Sequence, residues 1–185
     1  MTAAAGSCQL DARQMDATLR QLASSILDRL GTDTNLVLLG IRSRGLPLAE
    51  RMGLMLAELK GQTVPVGALD ITLYRDDLTE KAGTPIVRPT EIPFSLKERV
   101  VLLVDDVIYT GRTVRAALDA LLDHGRPRCV RLAVLVDRGG RELPIQPDFT
   151  GLKVEVRNTQ RIAVHVQERD GDDGVYLEEL PKVEA

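Results

Sequence analysis

Tryptophan is absent from this chain, and aromatic residues of every kind make up only 3% of it. So few ring faces leave little on which single-stranded bases could stack. Cysteine is nearly as scarce. Cys8 and Cys129 stand far apart, no CxxC or HExxH occurs, and His124 and His165 are the only imidazoles. A structural zinc site is therefore not expected, and two free thiols suit a cytoplasmic protein better than a disulfide scaffold. Long apolar runs are missing too: none approaches the roughly 18–20 residues needed to span a membrane. The opening MTAAAGSCQLDARQ has neither the basic head nor the apolar stretch of a secretory leader. G-x-G-x-x-G and G-x-x-x-x-G-K-S/T do not occur, which argues against a generic dinucleotide site and a P-loop kinase. Positive charge is not in surplus. A net charge of −3 gives no general attraction to nucleic acid, so such binding needs a local basic patch.

What is present is an alternation of apolar patterns. The 185 residues are 44% apolar, enough for one compact domain over 1–185. Met15, Leu19, Leu22, Ile26 and Leu30 predict a helix from Asp11 to Leu30 that ends at Gly31. NLVLLGI predicts a buried strand. After RSRG, Leu48, Met52, Met55 and Leu59 mark a second helix that stops at Gly61. VPVGALDITLYR is strand-like, but its apolar parity shifts between Ala68 and Leu69, which predicts a bulge near Gly67. From Asp76 to Pro93 the chain turns to charges, Gly and three prolines, the composition of a long functional loop. RVVLLVDDV and VRLAVLVD are further strands, with the helix of Val114, Ala117, Leu118, Leu121 and Leu122 between them. RGGRELPIQPDF is irregular, Ile162, Val164 and Val166 alternate with polar residues, and VYLEEL closes the pattern. The fold class is α/β, with a mainly parallel sheet flanked by helices. In such sheets ligands bind beyond the carboxyl ends of the strands.

The stretch VVLLVDDVIYTGRTVRAAL puts Asp105 and Asp106 at such an end, just ahead of Thr110, Gly111, Arg112 and Thr113. Amides at a helix N-terminus, helped by the dipole, form a phosphate site. Gly111 permits positive φ, and the two threonine hydroxyls can donate to the same oxygens. Thr113 as a helix N-cap fits the residues equally well. The carboxylates cannot serve a phosphate, but they accept from hydroxyls or hold a divalent cation. A sugar phosphate with vicinal hydroxyls satisfies both halves; a buried acid pair that only caps structure is the alternative.

This stretch resembles the phosphoribosyl pyrophosphate (PRPP) signature of type I phosphoribosyltransferases. Together with GIRSRGLPLA, DITLYRDDL, HGRPR, LAVLVDRG and RELPI, it is similar to the pyrimidine operon regulatory family, PyrR, from about Leu10 to Asp148. The resemblance implies conversion of uracil and PRPP to UMP and diphosphate, with Mg²⁺ carried by PRPP. It also implies uridine-nucleotide-responsive binding to the mRNA leader of pyrimidine genes. The implied fold is the type I one, with a flexible loop at about 76–93 and a small hood built from the C-terminal part and the N-terminal segment. A homodimer or higher homo-oligomer is implied as well, its face supplied by the first helix and the methionine-bearing second helix.

On the same basis Asp105, Asp106 and Arg44 form the catalytic set. Ser43, Arg44 and Gly45 receive the diphosphate, while Tyr109, Thr110, Gly111, Arg112 and Thr113 receive the 5′-phosphate. Arg75 and Arg88, in LYRDDLTEKAGTPIVRP, reach phosphate oxygens when the loop closes. Backbone groups around Val136, Asp137 and Arg138 read the base, and Ile162 packs on its ring. Val107 and Ile108 read as core or pocket wall. Without the resemblance, Arg44 reads as a solvated charge and Arg75 as an ion-pair partner of Asp76, Asp77 or Glu80. No protein nucleophile is required, and no metal site of the chain's own is expected.

The chain departs from the family in its basic groups. DRGHRELPIR is common there, whereas this chain has DRGGRELPIQ, so Gly140 stands for an imidazole and Gln146 for a cation. GLKVEVRNT replaces residues of the GKN-PTS kind. Arg13, Arg20, Arg29, Arg141, Lys153, Arg157 and Arg161 remain as candidates for an RNA-facing patch. A regulator with little turnover and a purine phosphoribosyltransferase are the alternative functions. DITLYRDDL and DRG-x-RELPI favour the pyrimidine enzyme.

Overall fold

The computed structural model describes residues 7–32, 35–76 and 88–180. Strand β1 (Ser7–Leu10) leads into helix α1 (Ala12–Leu30). Asp11 starts that helix through a capping box: its carboxylate accepts from Gln14 N–H at 2.8 Å, and Gln14 Oε1 accepts from Asp11 N–H at 2.9 Å. Strand β2 (Leu36–Ile41) is buried throughout and runs to helix α2 (Gly45–Lys60), which Gly61 ends at φ 67°. Next come β3 (Val66–Leu69), β4 (Val100–Ile108), α3 (Arg112–His124), β5 (Cys129–Asp137) and β6 (Phe149–Lys153). Strand β7 (Gln160–His165), the short helix α4 (Gln167–Asp170) and strand β8 (Gly174–Glu179) complete the described chain.

Five strands form a parallel sheet in the order β3-β2-β4-β5-β6. Side chains alternate across it, as strand geometry requires. Leu36, Leu38, Leu102, Val104 and Leu135 pack with Met15, Leu19, Leu22 and Ile26 of α1 and Leu48, Met52 and Leu56 of α2. Val37, Leu39, Val101, Leu103, Leu132 and Val134 point the other way, to Val114, Ala117 and Leu121 of α3. Strands β1, β8 and β7 form a separate antiparallel sheet in that order, which brings the N-terminal and C-terminal segments together. Among the described residues no helix is long and apolar enough to cross a membrane.

Three readings of the sequence change here. VPVGALDITLYR contains no bulge at Gly67; the strand stops at Leu69 and a 3-10 turn follows at Thr72–Tyr74. A parallel strand is covered on both faces, so apolar parity there carries no information about facing. Met52 and Met55 are buried in the core, and it is Leu54 and Leu59 that face outward from α2. Strands β1 and β6 went unread because both are short and lack clean alternation. At β6, Gly151 supplies the reason: a Cβ there would lie 2.6 Å from Thr18 Cγ2 and 2.7 Å from the Leu135 carbonyl oxygen. The missing side chain is what lets α1 lie against the sheet edge. Gly151→Ala should therefore lower stability by about 1–3 kcal/mol, measured by urea unfolding, because a carbonyl cannot yield as a side-chain tip can.

Candidate active site

Strand β4 ends in the acid pair. Asp105 is 5% exposed. Asp106 N–H donates to Asp105 Oδ1 at 3.0 Å, and Val107 N–H donates to Asp106 Oδ1 at 2.8 Å. Burial pushes Asp105 well above the usual carboxylate range, and the like charge of Asp106 adds to the shift, while Arg75 opposes it. Burial raises Asp106 too, held back by the Val107 N–H, by its contact with the Asp105 side chain and by the charge of Arg44. Two adjacent carboxylates in a dry site do not both ionise readily. The upward push is the stronger at Asp105.

Beyond the pair the chain turns into α3. Gly111 is the cap residue at φ 94°, and no acidic side chain stands in the first turn of the helix, where the dipole favours an anion. Leu143 and Ile145 pack behind Gly111, and Glu142 and Leu143 N–H both donate to the Thr110 carbonyl at 3.0 Å. A cavity of about 300 Å³ opens here, lined by Arg75, Asp76 and residues 107–114. The structure resolves the ambiguity over Thr113. The helix begins at Arg112, so Thr113 lies inside the first turn and does not cap it, while Thr110 Oγ1 accepts from Arg112 N–H at 3.3 Å. The Arg112 guanidinium spans Asp76 at 2.6 Å and Glu142 at 2.8 Å.

The turn Arg42–Gly45 is pressed against the acid pair by two glycines. A Cβ on Gly45 would lie 2.4 Å from the Val104 carbonyl oxygen and 3.3 Å from Asp105 Cα. One on Gly40 would lie 2.3 Å from Leu46 Cα. The Arg42–Ser43 peptide is cis. The Arg44 guanidinium, read from sequence as a fork for diphosphate, is taken up in this structure by Asp170 of α4, through Nε at 3.0 Å and a terminal nitrogen at 2.8 Å. Seven residues on, within α2, Arg51 grips Glu168 at 2.6 and 2.8 Å and Asp173 at 2.9 Å. No motif signalled these partners. The available signs were the acidic run QERDGDDG and two arginines two helical turns apart.

A family model described as phosphoribosyl transferase domain matches residues 9–169. The chain is 54% identical over 168 residues to the Bifunctional protein PyrR of Pelotomaculum thermopropionicum, covering 91% of this chain and 93% of that one. It is 53% identical over 168 residues to the Bifunctional protein PyrR of Thermus thermophilus, with the same coverage. The chain belongs to the PyrR family. Its fold matches a solved hypoxanthine phosphoribosyltransferase from Trypanosoma cruzi with a TM-score of 0.73 at 16% identity, covering 95% and 96% of the two chains. A hypoxanthine-guanine phosphoribosyltransferase from Bacillus anthracis matches with a TM-score of 0.61 at 16% identity, covering 82% and 85%.

The remaining site residues of this PyrR-family chain divide into those near β5 and those on the surface. Val136 is buried, and Asp137 pairs with Arg141 at 2.7 Å, each side chain 12% exposed. Arg141 also donates to the carbonyls of Tyr109 at 2.9 Å and Ile145 at 3.0 Å, so its charge holds the loop after β5 and does not face outward as an RNA contact. The Arg138 guanidinium lies 4.1 Å over the Tyr109 ring and donates to the Gln160 carbonyl at 3.2 Å, two residues from Ile162 on β7. Ile162 and Val107 pack against the same core cluster. At Gly140, φ is 70° and a Cβ would lie 2.3 Å from Tyr109 Cε2, so the tyrosine ring fills the space a side chain would need. Arg13 is exposed on α1, Arg20 pairs with Asp16 at 2.9 Å, Lys153 ends β6, and Arg157 lies 3.6 Å from Glu179. Arg75 lines the cavity at the start of α3, and the Arg88 N–H is bonded to Asp70; residues 77–87 of the expected loop lie outside the described residues.

The raised Asp105 carboxyl has a consequence for stability. Between the ordinary aspartate range and its raised folded value, the folded state binds more protons than the unfolded state, so stability falls as pH rises across that window. The slope from this one group reaches at most about 1.4 kcal/mol per pH unit. Asp105→Asn should flatten it and raise the unfolding free energy at neutral pH; urea unfolding from pH 4 to 8 measures both.

Proposed function

We propose that this protein transfers the phosphoribosyl group of PRPP to uracil, giving UMP and diphosphate, and that it also serves as a uridine-nucleotide-responsive RNA-binding regulator of pyrimidine genes. The juxtaposition at the end of β4 carries the catalytic reading: a buried acid pair, an acid-free helix N-terminus opening on a cavity of about 300 Å³, and a glycine turn against the Asp105 backbone. Identity above half over nine-tenths of the chain with bifunctional relatives supports both activities.

In this reading the ribose 2′- and 3′-hydroxyls donate to Asp105 and Asp106, and the 5′-phosphate takes the amides and hydroxyls of Thr110, Gly111, Arg112 and Thr113, beside Tyr109. The amides of Ser43, Arg44 and Gly45 receive the diphosphate. Arg44, held by Asp170, places its charge beside Asp106. As the C1–O bond breaks, positive charge grows on the sugar and negative charge on the leaving diphosphate. The acid pair stabilises the first, and the 43–45 turn with Arg75 stabilises the second. Mg²⁺ arrives with PRPP and neutralises part of the diphosphate charge. Uracil lies at Val136, Asp137 and Arg138 with Ile162 on its ring. Leu54 and Leu59 offer an apolar face for a homodimer.

Competing uracil, hypoxanthine and orotate in one PRPP-dependent assay tests the base, and preferential UMP formation is expected. Asp106→Asn should keep the fold and lower turnover at least about tenfold, since losing one contact of this kind raises a barrier by about 2.7–4 kcal/mol. Near-normal steady-state turnover would remove the ribose role. Regulation is read from titration of pyrimidine leader RNA with and without UMP across a salt series. UMP-strengthened binding with a negative salt slope is expected, and weak, flat binding would end that half of the proposal.

A further inference from the structure

Asp70 is a buried carboxylate, 8% exposed, outside the acid pair and with no part in the reaction as derived above. Its Oδ1 accepts from Thr72 N–H at 2.7 Å and its Oδ2 from Arg88 N–H at 2.7 Å, while its own N–H donates to Thr90 Oγ1 at 3.0 Å. One side chain thus fastens its own stretch of chain to a second one 18 residues on. On one side, Thr72 opens the 3-10 turn that delivers Arg75 and Asp76 to the phosphate cavity. That turn is held from below by Arg115 of α3, which donates to the Tyr74 carbonyl at 2.8 Å. On the other side, Glu91 exchanges both backbone hydrogen bonds with Ala68 at 2.8 Å and pairs with Arg42 at 3.0 Å. Arg42 N–H in turn donates to the Leu69 carbonyl at 3.0 Å, and Arg42 is the residue before the Ser43-Arg44-Gly45 turn. Burial acts to raise the Asp70 carboxyl, yet the hydrogen bonds from Thr72 and Arg88 and the charge of Arg42 hold it below its ordinary value.

We infer that Asp70 is a positioning residue for PRPP, fixing the Arg42–Gly45 turn, the Arg75–Asp76 cavity wall and the Arg88–Glu91 segment relative to one another. The inference rests on the reading of this site as a PRPP site and deepens it. The physical argument is one of cost. A desolvated carboxylate is an expensive way to close a turn, and it persists when several charge-assisted bonds must be met at once. An asparagine has the same shape, but its amide nitrogen cannot accept, so one of the two fastened amides must lose its partner. The groups displaced would be those facing phosphate oxygens. The base pocket at β5 and β7 shares no hydrogen bond with Asp70.

The test is a separation of substrate constants. Asp70→Asn should raise KM for PRPP about tenfold or more while KM for uracil moves less than about twofold, a split that simple loss of folded protein does not produce. Thr90→Val keeps the carboxylate and removes only the hydroxyl that takes the Asp70 N–H; it should raise KM for PRPP about threefold. If Asp70→Asn does not fold, the threonine variant decides by itself. Equal changes in both constants, or an unchanged KM for PRPP in a folded variant, would overturn the role of Asp70 while leaving the functional reading in place. No UMP formation by the unaltered protein would overturn the functional reading and this inference with it.

Discussion

Two carboxylates on consecutive residues, buried at the end of a strand, repel one another and lose their water together. Everything around the end of β4 answers to that constraint. Arg75 acts on Asp105 and Arg44 on Asp106, in each case favouring the charged form. The amides at the start of α3 add fixed partial positive charge nearby. Even so both carboxyls are pushed up from their ordinary range, because burial dominates. Such a site is poor for stability and apt for chemistry in which hydroxyl groups and a developing cation replace the lost water.

The second organising feature is the fastening of the small sheet to α2. Arg44, which caps that helix, and Arg51 within it take carboxylates from α4 and the turn after it. Arg51 is pushed above its ordinary range by its bonds to Glu168 and Asp173, and those two acids are held low in return. Half-buried pairs of this bidentate kind fix geometry as well as energy. They couple the Arg42–Gly45 turn to the sheet that carries Ile162, so both share one scaffold.

The loop after β5 shows how a departure from the family is absorbed. With glycine at position 140 the Tyr109 ring settles where a side chain would stand, beneath the Arg138 guanidinium. Arg141, a basic residue that sequence alone would offer to RNA, is turned inward to Asp137 and the carbonyl of Tyr109. That takes one charge off the surface, while Arg13, Arg20, Arg29, Lys153, Arg157 and Arg161 stay exposed.

Much of the fold was legible in the residues themselves. The stripe of α1, the buried run of β2 and the acid pair followed by Thr-Gly-Arg-Thr report local preferences: helical period, strand burial, and a glycine that must take positive φ. These are properties of neighbours in sequence, and neighbours can be read in a line. The partners of Arg44, Arg51 and Asp70 were not legible, nor were β6 and the end of β3. Each depends on contacts between segments distant in sequence, 126 residues apart for Arg44 and Asp170. Charge alone does not name its partner, and only the crossing of helices over the sheet decides which carboxylate each arginine meets. The sequence by itself determined where the ligand end of the sheet lies and which groups stand there. The tertiary structure decided which of those groups face a substrate and which are bound to one another, because burial and pairing are set by packing across the chain.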